Sequence, residues 1–173
     1  MRSNKVLNFL KSLFYNQRIN WYKANFKLLS HCEKIIDIGC GKGLFLELAP
    51  DRIVGIDHNH YSLRECIDKG YTVIRGDALN LPFTKESFDG IHCADVIEHF
   101  CPKDAICLLS EISRVLKTGG VAVIATPLSS KIFWNEVSHV RPYPPIALIS
   151  YCVTDVYKGN GTQQTYEPLP YKM

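Results

Sequence analysis

The chain has 173 residues, seven cysteines and a formal net charge of +3, and 46% of its residues are hydrophobic. This length suits one compact domain with a sizeable core and is too short for two. No apolar run approaches the length of a membrane span, and the N-terminus shows no secretory signal. We therefore expect a globular protein of the cytoplasm with no membrane-spanning segment.

Charge and cysteine usage are both uneven along the chain. Residues 1–30 carry six basic side chains and no acidic one, a pattern typical either of contact with nucleic acid or an anionic membrane, or of a solvated helical face. The cysteines are odd in number, and no pair has C-x-x-C spacing. We therefore predict buried thiols in a reducing compartment and no metal site.

The N-terminal residues predict helix, and the remainder predicts alternating strands and helices. Residues 1–31 form two helical segments in this interpretation, an N-terminal helical cover in front of a domain at 32–173. Predicted strands lie at 34–38, 52–57, 72–75, 87–93 and 121–125. Predicted helices follow the first strand directly and lie at 61–69 and 101–117, the last stopped by Gly119-Gly120.

This alternation predicts an α/β fold. Strands that alternate with helices build a Rossmann-like, doubly wound, mostly parallel sheet with helices on both faces. Asn160-Gly161 stands between strand-like runs at 151–158 and 162–167. Because Asn-Gly favours a tight hairpin turn, we also expect an antiparallel hairpin at the C-terminal edge of the sheet.

The stretch DIGCGKG at 37–43 follows the first strand. Alternate glycines there indicate a tight turn at which a ligand touches bare backbone. A dinucleotide site needs a glycine where Leu44 stands, and Asp37 would repel a pyrophosphate at this turn. An acid two residues before the first glycine suits a ligand with a cationic group instead.

DIGCGKG resembles the D-x-G-x-G-x-G motif of class I S-adenosylmethionine-dependent methyltransferases. The resemblance implies S-adenosylmethionine as cofactor and S-adenosylhomocysteine as product. The residues that this motif places at the cofactor are Asp37, Gly39, Cys40, Gly41 and Gly43.

Two further acids follow strands at the carboxyl edge of the predicted sheet. Asp57 ends the second strand, where an acid accepts hydrogen bonds from ribose hydroxyls; a surface acid is the alternative. Asp77 follows the third strand and can accept from the adenine amine, with Leu79 framing the ring, or it is a turn residue. The neighbours His58 and Ala78 complete this predicted cofactor group.

Two later stretches strengthen the resemblance. SFDGIHCADVIEHF at 87–100 and EISRVLKTGG at 111–120, together with DIGCGKG, resemble the small class I methyltransferases of the "type 11" kind. The resemblance covers about residues 34–127. Its motifs are specific for cofactor and fold and weak for substrate.

The family resemblance also implies roles for residues beyond the fourth strand. Cys93, Ala94 and Asp95 are expected to line the floor under the reactive methyl group. His99 is expected nearby, and His139 is expected to border the acceptor pocket. A hydroxyl or acidic carbon acceptor needs a base, so both histidines are candidate catalytic residues; a helix-start and a loop histidine are the alternatives.

The leading interpretation is an enzyme that transfers a methyl group from S-adenosylmethionine to O, N or C of a small molecule. The stretch ADVIEH lacks the [DNS]-P-P-[YF] motif of DNA-adenine methyltransferases, and no Pro-Cys nucleophile pair stands there. The short region after the proline-rich segment favours one alternative, a cofactor-binding scaffold or subunit with a reduced acceptor pocket. A nicotinamide-dependent oxidoreductase is a weaker one because of Leu44 and Asp37. The oligomeric state is left open.

Overall fold

The computed structural model describes residues 17–130 and 133–152. Its strands form one sheet in the order β3-β2-β1-β4-β5, and every neighbouring pair is parallel. The strands are β1 (Ile35–Ile38), β2 (Ile53–Asp57), β3 (Val73–Arg75), β4 (Phe88–Ala94) and β5 (Leu116–Ala125). The predicted Rossmann-like parallel sheet is confirmed. Strand order reverses between β1 and β4, and ligands of such sheets bind at the carboxyl ends beside that point.

Helices cover the sheet. They are α1 at 17–28, α2 (His60–Asp68), α3 (Pro102–Val115) and α4 (Pro145–Cys152). The Asn59 side chain caps the start of α2, because its Oδ1 accepts hydrogen bonds from the Tyr61 and Ser62 amides, which have no acceptor within the helix. Pro102 starts α3, and its fixed φ suits the first helical turn.

The helix predicted directly after the glycine turn is wrong. Only a 3-10 turn, Leu46–Leu48, lies between β1 and β2. Pro50 follows, and a residue before proline is disfavoured in the helical region. Ala49 accordingly has φ −159° and ψ 70°, so the chain leaves the turn after three residues.

The predicted helix stop at Gly119-Gly120 is also wrong. Helix α3 ends at Val115, and Leu116 is already extended. Leu116 pairs with Phe88 and Val121 pairs with Gly90, so the register between β4 and β5 shifts. The two glycines lie in this irregular part of β5, where Gly119 takes a φ of +79°.

Two predictions fall largely outside the described residues. The first N-terminal helical segment precedes residue 17, and the C-terminal hairpin lies beyond residue 152. Tyr151 and Cys152, which the hairpin prediction included in its first strand, end helix α4 instead. The remainder of the hairpin stays a prediction.

Each face of the sheet has its own apolar core, because neighbouring residues of a strand point to opposite faces. On β1, Ile36 and Ile38 pack with Leu108 and Ile112 of α3. Ile35 faces the other way and belongs to a cluster with the following largely buried side chains: Leu29, Phe45, Leu46, Ile53 and Leu63. Helices on both faces are therefore confirmed.

Five cysteines are buried and two, Cys101 and Cys107, are exposed; all seven are free thiols. The prediction of buried thiols is thus right for five positions and wrong for these two, which lie at the start and on the exposed side of α3. Within 17–130 and 133–152, no helix combines the length and apolarity that a membrane crossing requires.

Candidate active site

The glycine turn after β1 brings bare backbone to the carboxyl edge of the sheet. Gly39, Gly41 and Gly43 have φ values of 75°, 50° and 79°, a region that other L-residues rarely adopt. A Cβ on Gly39 would lie 2.3 Å from Cγ2 of Val96. The residues that follow β1 and β4 therefore approach so closely that position 39 has no space for a side chain. A Cβ on Gly41 would meet nothing within 4 Å.

Asp57 holds this turn in place from the end of β2. Its Oδ2 accepts a hydrogen bond from the Gly41 amide at 2.9 Å, and its Oδ1 accepts one from the Asn59 amide at 2.8 Å. Each carboxylate oxygen keeps a second lone pair. Asp57 therefore fixes the turn and can still accept from a ligand, as predicted for the ribose.

A cleft of about 810 Å³ opens along this edge, between the turns that follow β1, β2, β3 and β4. Seven residues of its wall were predicted from the sequence: Gly39, Asp57, His58, Asp77, Ala78, Asp95 and His99. The others are Ile56, Arg75, Gly76, Val96 and Phe100. The structure therefore gathers the acids predicted for ribose and adenine into one cleft.

Asp77 has features of both of its predicted roles. It lines the cleft, and its Oδ1 also accepts the Leu79 amide hydrogen at 2.9 Å, the contact of a turn aspartate. Leu79 itself packs against the core rather than lining the cleft.

Asp37 lies inside the protein, only 3% exposed. Its Oδ1 is 2.6 Å from Nδ1 of His92, the residue beside it in the β1–β4 register. Burial raises the pKa of the Asp37 carboxyl, and His92 opposes that rise. The His92 ring stacks on Phe45 with centroids 3.7 Å apart. Asp37 therefore supports the turn from below, and contact with a ligand cation stays a prediction.

Five other predicted cofactor residues also lie away from the cleft wall, Gly41 among them. Cys40, Cys93 and Ala94 are buried, and burial raises the pKa of both thiols. Gly43 faces Cys66, whose Sγ would be 2.9 Å from an added Cβ. These residues shape the turn and the end of β4, and their contact with a cofactor stays a prediction.

Asp95 occupies a strained position where β4 ends. It has a φ of 54°, unusual for a residue other than glycine, and such strain is concentrated at functional sites. Its Oδ2 lies 2.6 Å from Nη2 of Arg18 on α1. This ion pair brings the N-terminal helix to the mouth of the cleft, a connection that no sequence signal indicated.

A second cavity of about 830 Å³ shares Asp95 and His99 with the cleft. Nδ1 of His99 lies 3.0 Å from the Ser138 carbonyl, and Nδ1 of His139 lies 2.8 Å from the Phe133 carbonyl. The two imidazole rings are 5.1 Å apart between centroids. The structure thus brings the two candidate bases together in this cavity.

Glu98 is the principal site residue that the sequence analysis missed. It is fully buried, and its Oε2 accepts from Oγ1 of Thr126 at 3.2 Å. Its Oε1 is buried without a hydrogen-bond partner among the described residues. Burial raises the pKa of this carboxyl, and the charge of Asp95 adds to the rise. Adjacency to His99 was the only signal in the sequence.

Backbone bonds explain why two distant segments meet here. The Glu98 carbonyl accepts hydrogen bonds from the Val140 and Arg141 amides at 2.8 and 3.2 Å, which holds the loop of His139 against the 3-10 turn Ile97–His99. One ligand atom from each of Glu98, His99 and His139 lies within 4.8 Å of the other two. Among residues 17–130 and 133–152, these three form the group that could hold a metal ion.

Residues 36–124 match the family described as methyltransferase domain, and the chain belongs to this family. Structural neighbours are S-adenosylmethionine-dependent methyltransferases, and the cofactor is therefore S-adenosylmethionine. A crystal structure of such an enzyme from Archaeoglobus fulgidus is 26% identical, with a TM-score of 0.69 over 78% of this chain and 65% of that one.

Two curated relatives match about half of the chain. A tRNA (carboxymethyluridine(34)-5-O)-methyltransferase from Arabidopsis thaliana is 36% identical over 92 residues, 52% of this chain and 23% of that protein. A sterol 24-C-methyltransferase from Schizosaccharomyces pombe is 29% identical over 100 residues, 51% of this chain and 26% of that protein. The match thus covers about a quarter of each relative.

The cleft fits the cofactor that the family implies. Gly39 offers backbone that a side chain could not replace, because its Cβ would collide with Val96. The carboxylates of Asp57 and Asp77 on the wall suit a ligand with hydroxyl and amine donors and no phosphate. The volume of about 810 Å³ lies within the range of small-molecule sites.

Proposed function

We propose that this protein transfers a methyl group from S-adenosylmethionine to a hydroxyl oxygen of a small molecule bound in the second cavity. One observation carries the proposal: His99 lies on the wall of both the cofactor cleft and the second cavity. A polar side chain at the junction of two cavities stands where a donor and an acceptor would meet.

The cleft residues would bind and orient the cofactor. The turn at Gly39 gives close backbone approach, Asp57 would accept from the ribose, and Asp77 would accept from the adenine amine. When bound, S-adenosylmethionine supplies a sulfonium-activated methyl group, and transfer to a hydroxyl leaves a neutral thioether and one proton to remove. The protein's main contribution is alignment of the two partners.

The second cavity is suited to an acceptor of modest size. Its volume of about 830 Å³ is that of a small-molecule site, and its wall mixes apolar groups such as Leu128 and Phe133 with His99 and His139. Each imidazole donates through Nδ1 to a backbone carbonyl, which leaves Nε2 with a lone pair. This cavity supports the enzyme over the scaffold with a reduced acceptor pocket.

Calorimetry with the full chain tests the cofactor assignment. S-adenosylhomocysteine should bind with 1:1 stoichiometry, and NAD should not compete, because Leu44 stands where a dinucleotide turn needs glycine. Tighter binding of NAD than of S-adenosylhomocysteine would overturn the proposal.

Transfer itself is tested with isotope-labelled S-adenosylmethionine and a panel of hydroxylated small molecules. His99→Ala should lower turnover by about a hundredfold, the typical size of a positioned proton acceptor, while S-adenosylhomocysteine affinity changes little. His31→Ala, an exposed change before β1, is the matched control. Equal turnover of both variants would contradict a role for the second cavity.

A nucleic-acid acceptor is the second candidate. Two observations favour it: residues 1–30 are basic without an acid, and one relative is named a tRNA methyltransferase. Incubation with bulk tRNA under the same labelling conditions distinguishes the candidates. Label in tRNA, with binding that weakens steeply as salt rises, would replace the small molecule as acceptor.

A further inference from the structure

Three residues that can offer lone pairs, Glu98, His99 and His139, line the second cavity, and one ligand atom of each lies within 4.8 Å of the other two. Glu98 contributes the buried Oε1, which has no partner in the part of the chain that the structure describes. His99 and His139 each offer Nε2, because their Nδ1 atoms are committed to the Ser138 and Phe133 carbonyls. A carbonyl only accepts, so Nδ1 must carry the proton in each neutral ring.

A cation between the three groups would stabilise this arrangement. A buried carboxylate oxygen without a partner loses hydration and gains nothing in return. Asp95 and Glu136 also border the cavity, and their charges add to its negative potential. Arg18 is the arginine on the described part of the cavity wall, and its guanidinium is engaged by Asp95 at 2.6 Å.

The spacing and the outer contacts match those of a metal site. Ligand atoms in a tetrahedral site with bonds of about 2.0–2.2 Å lie ~3.4 Å apart, and here one nitrogen or oxygen of each of the three side chains lies within 4.8 Å of the other two. Metal-binding histidines usually donate their other ring nitrogen to a carbonyl or carboxylate, as both rings do here.

We propose that Glu98, His99 and His139 bind a divalent first-row transition-metal ion of the Zn²⁺ type. Two imidazoles and one carboxylate suit such an ion and leave open positions, whereas Mg²⁺ prefers an all-oxygen shell. The open positions would be available to an acceptor oxygen in the second cavity. Contact between the ion and an acceptor oxygen rests on the proposed function, whereas binding of the ion does not.

In this arrangement the ion takes over the activation that an imidazole base would otherwise supply. A hydroxyl held by the ion would be more acidic: its proton would pass to water, and its oxygen would form the bond to the methyl carbon as the S–C bond breaks and S-adenosylhomocysteine leaves. Two ring nitrogens that bind the ion are no longer bases. Metal-assisted transfer therefore excludes the general-base role predicted for His99 and His139.

Metal binding is measured first, without acceptor or turnover. The full chain, stripped with chelator, is dialysed against Zn²⁺ or Co²⁺ and analysed for bound metal and for the visible absorption of Co²⁺. We expect one equivalent per chain. Glu98→Gln and His139→Ala should each weaken binding by more than about tenfold, since loss of an outer-shell partner alone costs about 10–100-fold.

Two exposed residues before β1, at the opposite edge of the sheet, provide matched controls: His31→Ala and Glu33→Gln. Both should bind metal as the wild type does. S-adenosylhomocysteine affinity of each variant reports whether the cleft is still folded. If a variant fails that check, the Co²⁺ spectrum of the wild type decides, because two imidazole ligands have a signature that solvent-bound Co²⁺ lacks.

Absence of stoichiometric binding, or equal binding by Glu98→Gln and its control, would overturn the metal site. Stoichiometric Mg²⁺ binding in preference to Zn²⁺ would overturn the ligand set. Unchanged methyl transfer by fully stripped enzyme would overturn the role toward the acceptor and leave ion binding intact. Failure of methyl transfer with all acceptors, with metal bound, would count against the proposed function alone.

Discussion

Asp37 and His92 are neighbours on strands β1 and β4, and their side chains meet at 2.6 Å inside the protein. Both are almost completely buried. The pair lies directly beneath the glycine turn, so the stability of the sheet and the shape of the cleft depend on the same contact.

His92→Ala should reduce the free energy of unfolding by about 3–5 kcal/mol, the usual cost of leaving one partner of a buried pair alone. Urea denaturation measures the change. His31→Ala, which is exposed, should stay within about 0.5 kcal/mol of wild type. A loss below about 1 kcal/mol in His92→Ala would mean that the pair contributes little.

The pH dependence of that variant follows from the direction of the Asp37 shift. Burial raises the pKa of this carboxyl, and removal of His92 removes the group that opposes the rise. The folded state then binds more protons than the unfolded state, so stability falls as pH rises above the unfolded pKa and recovers as pH falls. The destabilisation of His92→Ala should be smaller at acidic pH than at neutral pH.

Asp57→Ala should weaken binding of S-adenosylhomocysteine by about 30- to 1,000-fold, equivalent to about 2–4 kcal/mol for charge-assisted hydrogen bonds. The change also releases the Gly41 amide that Asp57 holds at 2.9 Å. Asp51→Ala removes an exposed acid before the same strand and should leave affinity unchanged. Calorimetry would contradict the ribose role if both variants bind equally well.

Gly39→Ala and Gly70→Ala separate backbone strain from collision. Both glycines have positive φ, 75° and 80°, so each substitution costs about 1–2 kcal/mol of stability. Only the Cβ at Gly39 meets an atom, Cγ2 of Val96 at 2.3 Å, which adds about 1–3 kcal/mol. Adding Val96→Ala should recover the difference in denaturation experiments. Equal losses in the free energy of unfolding for Gly39→Ala and Gly70→Ala would show that the loop moves to accommodate the added Cβ.

In the native protein, DTNB should modify two thiols, Cys101 and Cys107, which are exposed. The other five are buried, and burial raises the pKa of the Cys40 and Cys93 thiols, which keeps them protonated as well as shielded. Unfolded protein should release all seven equivalents. Cys101→Ser with Cys107→Ser should abolish the fast phase; rapid reaction of a third thiol would show that a buried region opens.

The sheet was predictable because its signals are local. Apolar runs mark each strand, and the order of motifs places Asp57 and Asp77 at one edge, where the cleft forms. The helix predicted after the glycine turn rests on helix-compatible residues at 44–48, whereas the structure has only the turn Leu46–Leu48, which ends just before Pro50. Propensity is a weak guide where the chain has so few residues between two strands.

The groups that complete the site were not predictable, because they depend on distant contacts. Asp37 pairs with His92 only through the strand register. His139 reaches His99 only because two backbone amides bind the Glu98 carbonyl. A buried oxygen such as Oε1 of Glu98 has no sequence signature, since the same residue in another loop would simply face solvent.

Helix α1 packs against the connection between β1 and β2, which contains no full helix of its own. With only three residues of 3-10 turn between β1 and β2, Tyr22 and Phe26 lie against Phe45, each with ring centroids 6.0 Å from it. A polypeptide that started at residue 32 would lose this layer and expose Phe45 and His92 to water. Residues 17–31 of the predicted cover thus contribute side chains to the apolar core, and changes at Tyr22 or Phe26 would alter folding before they alter access to the cleft.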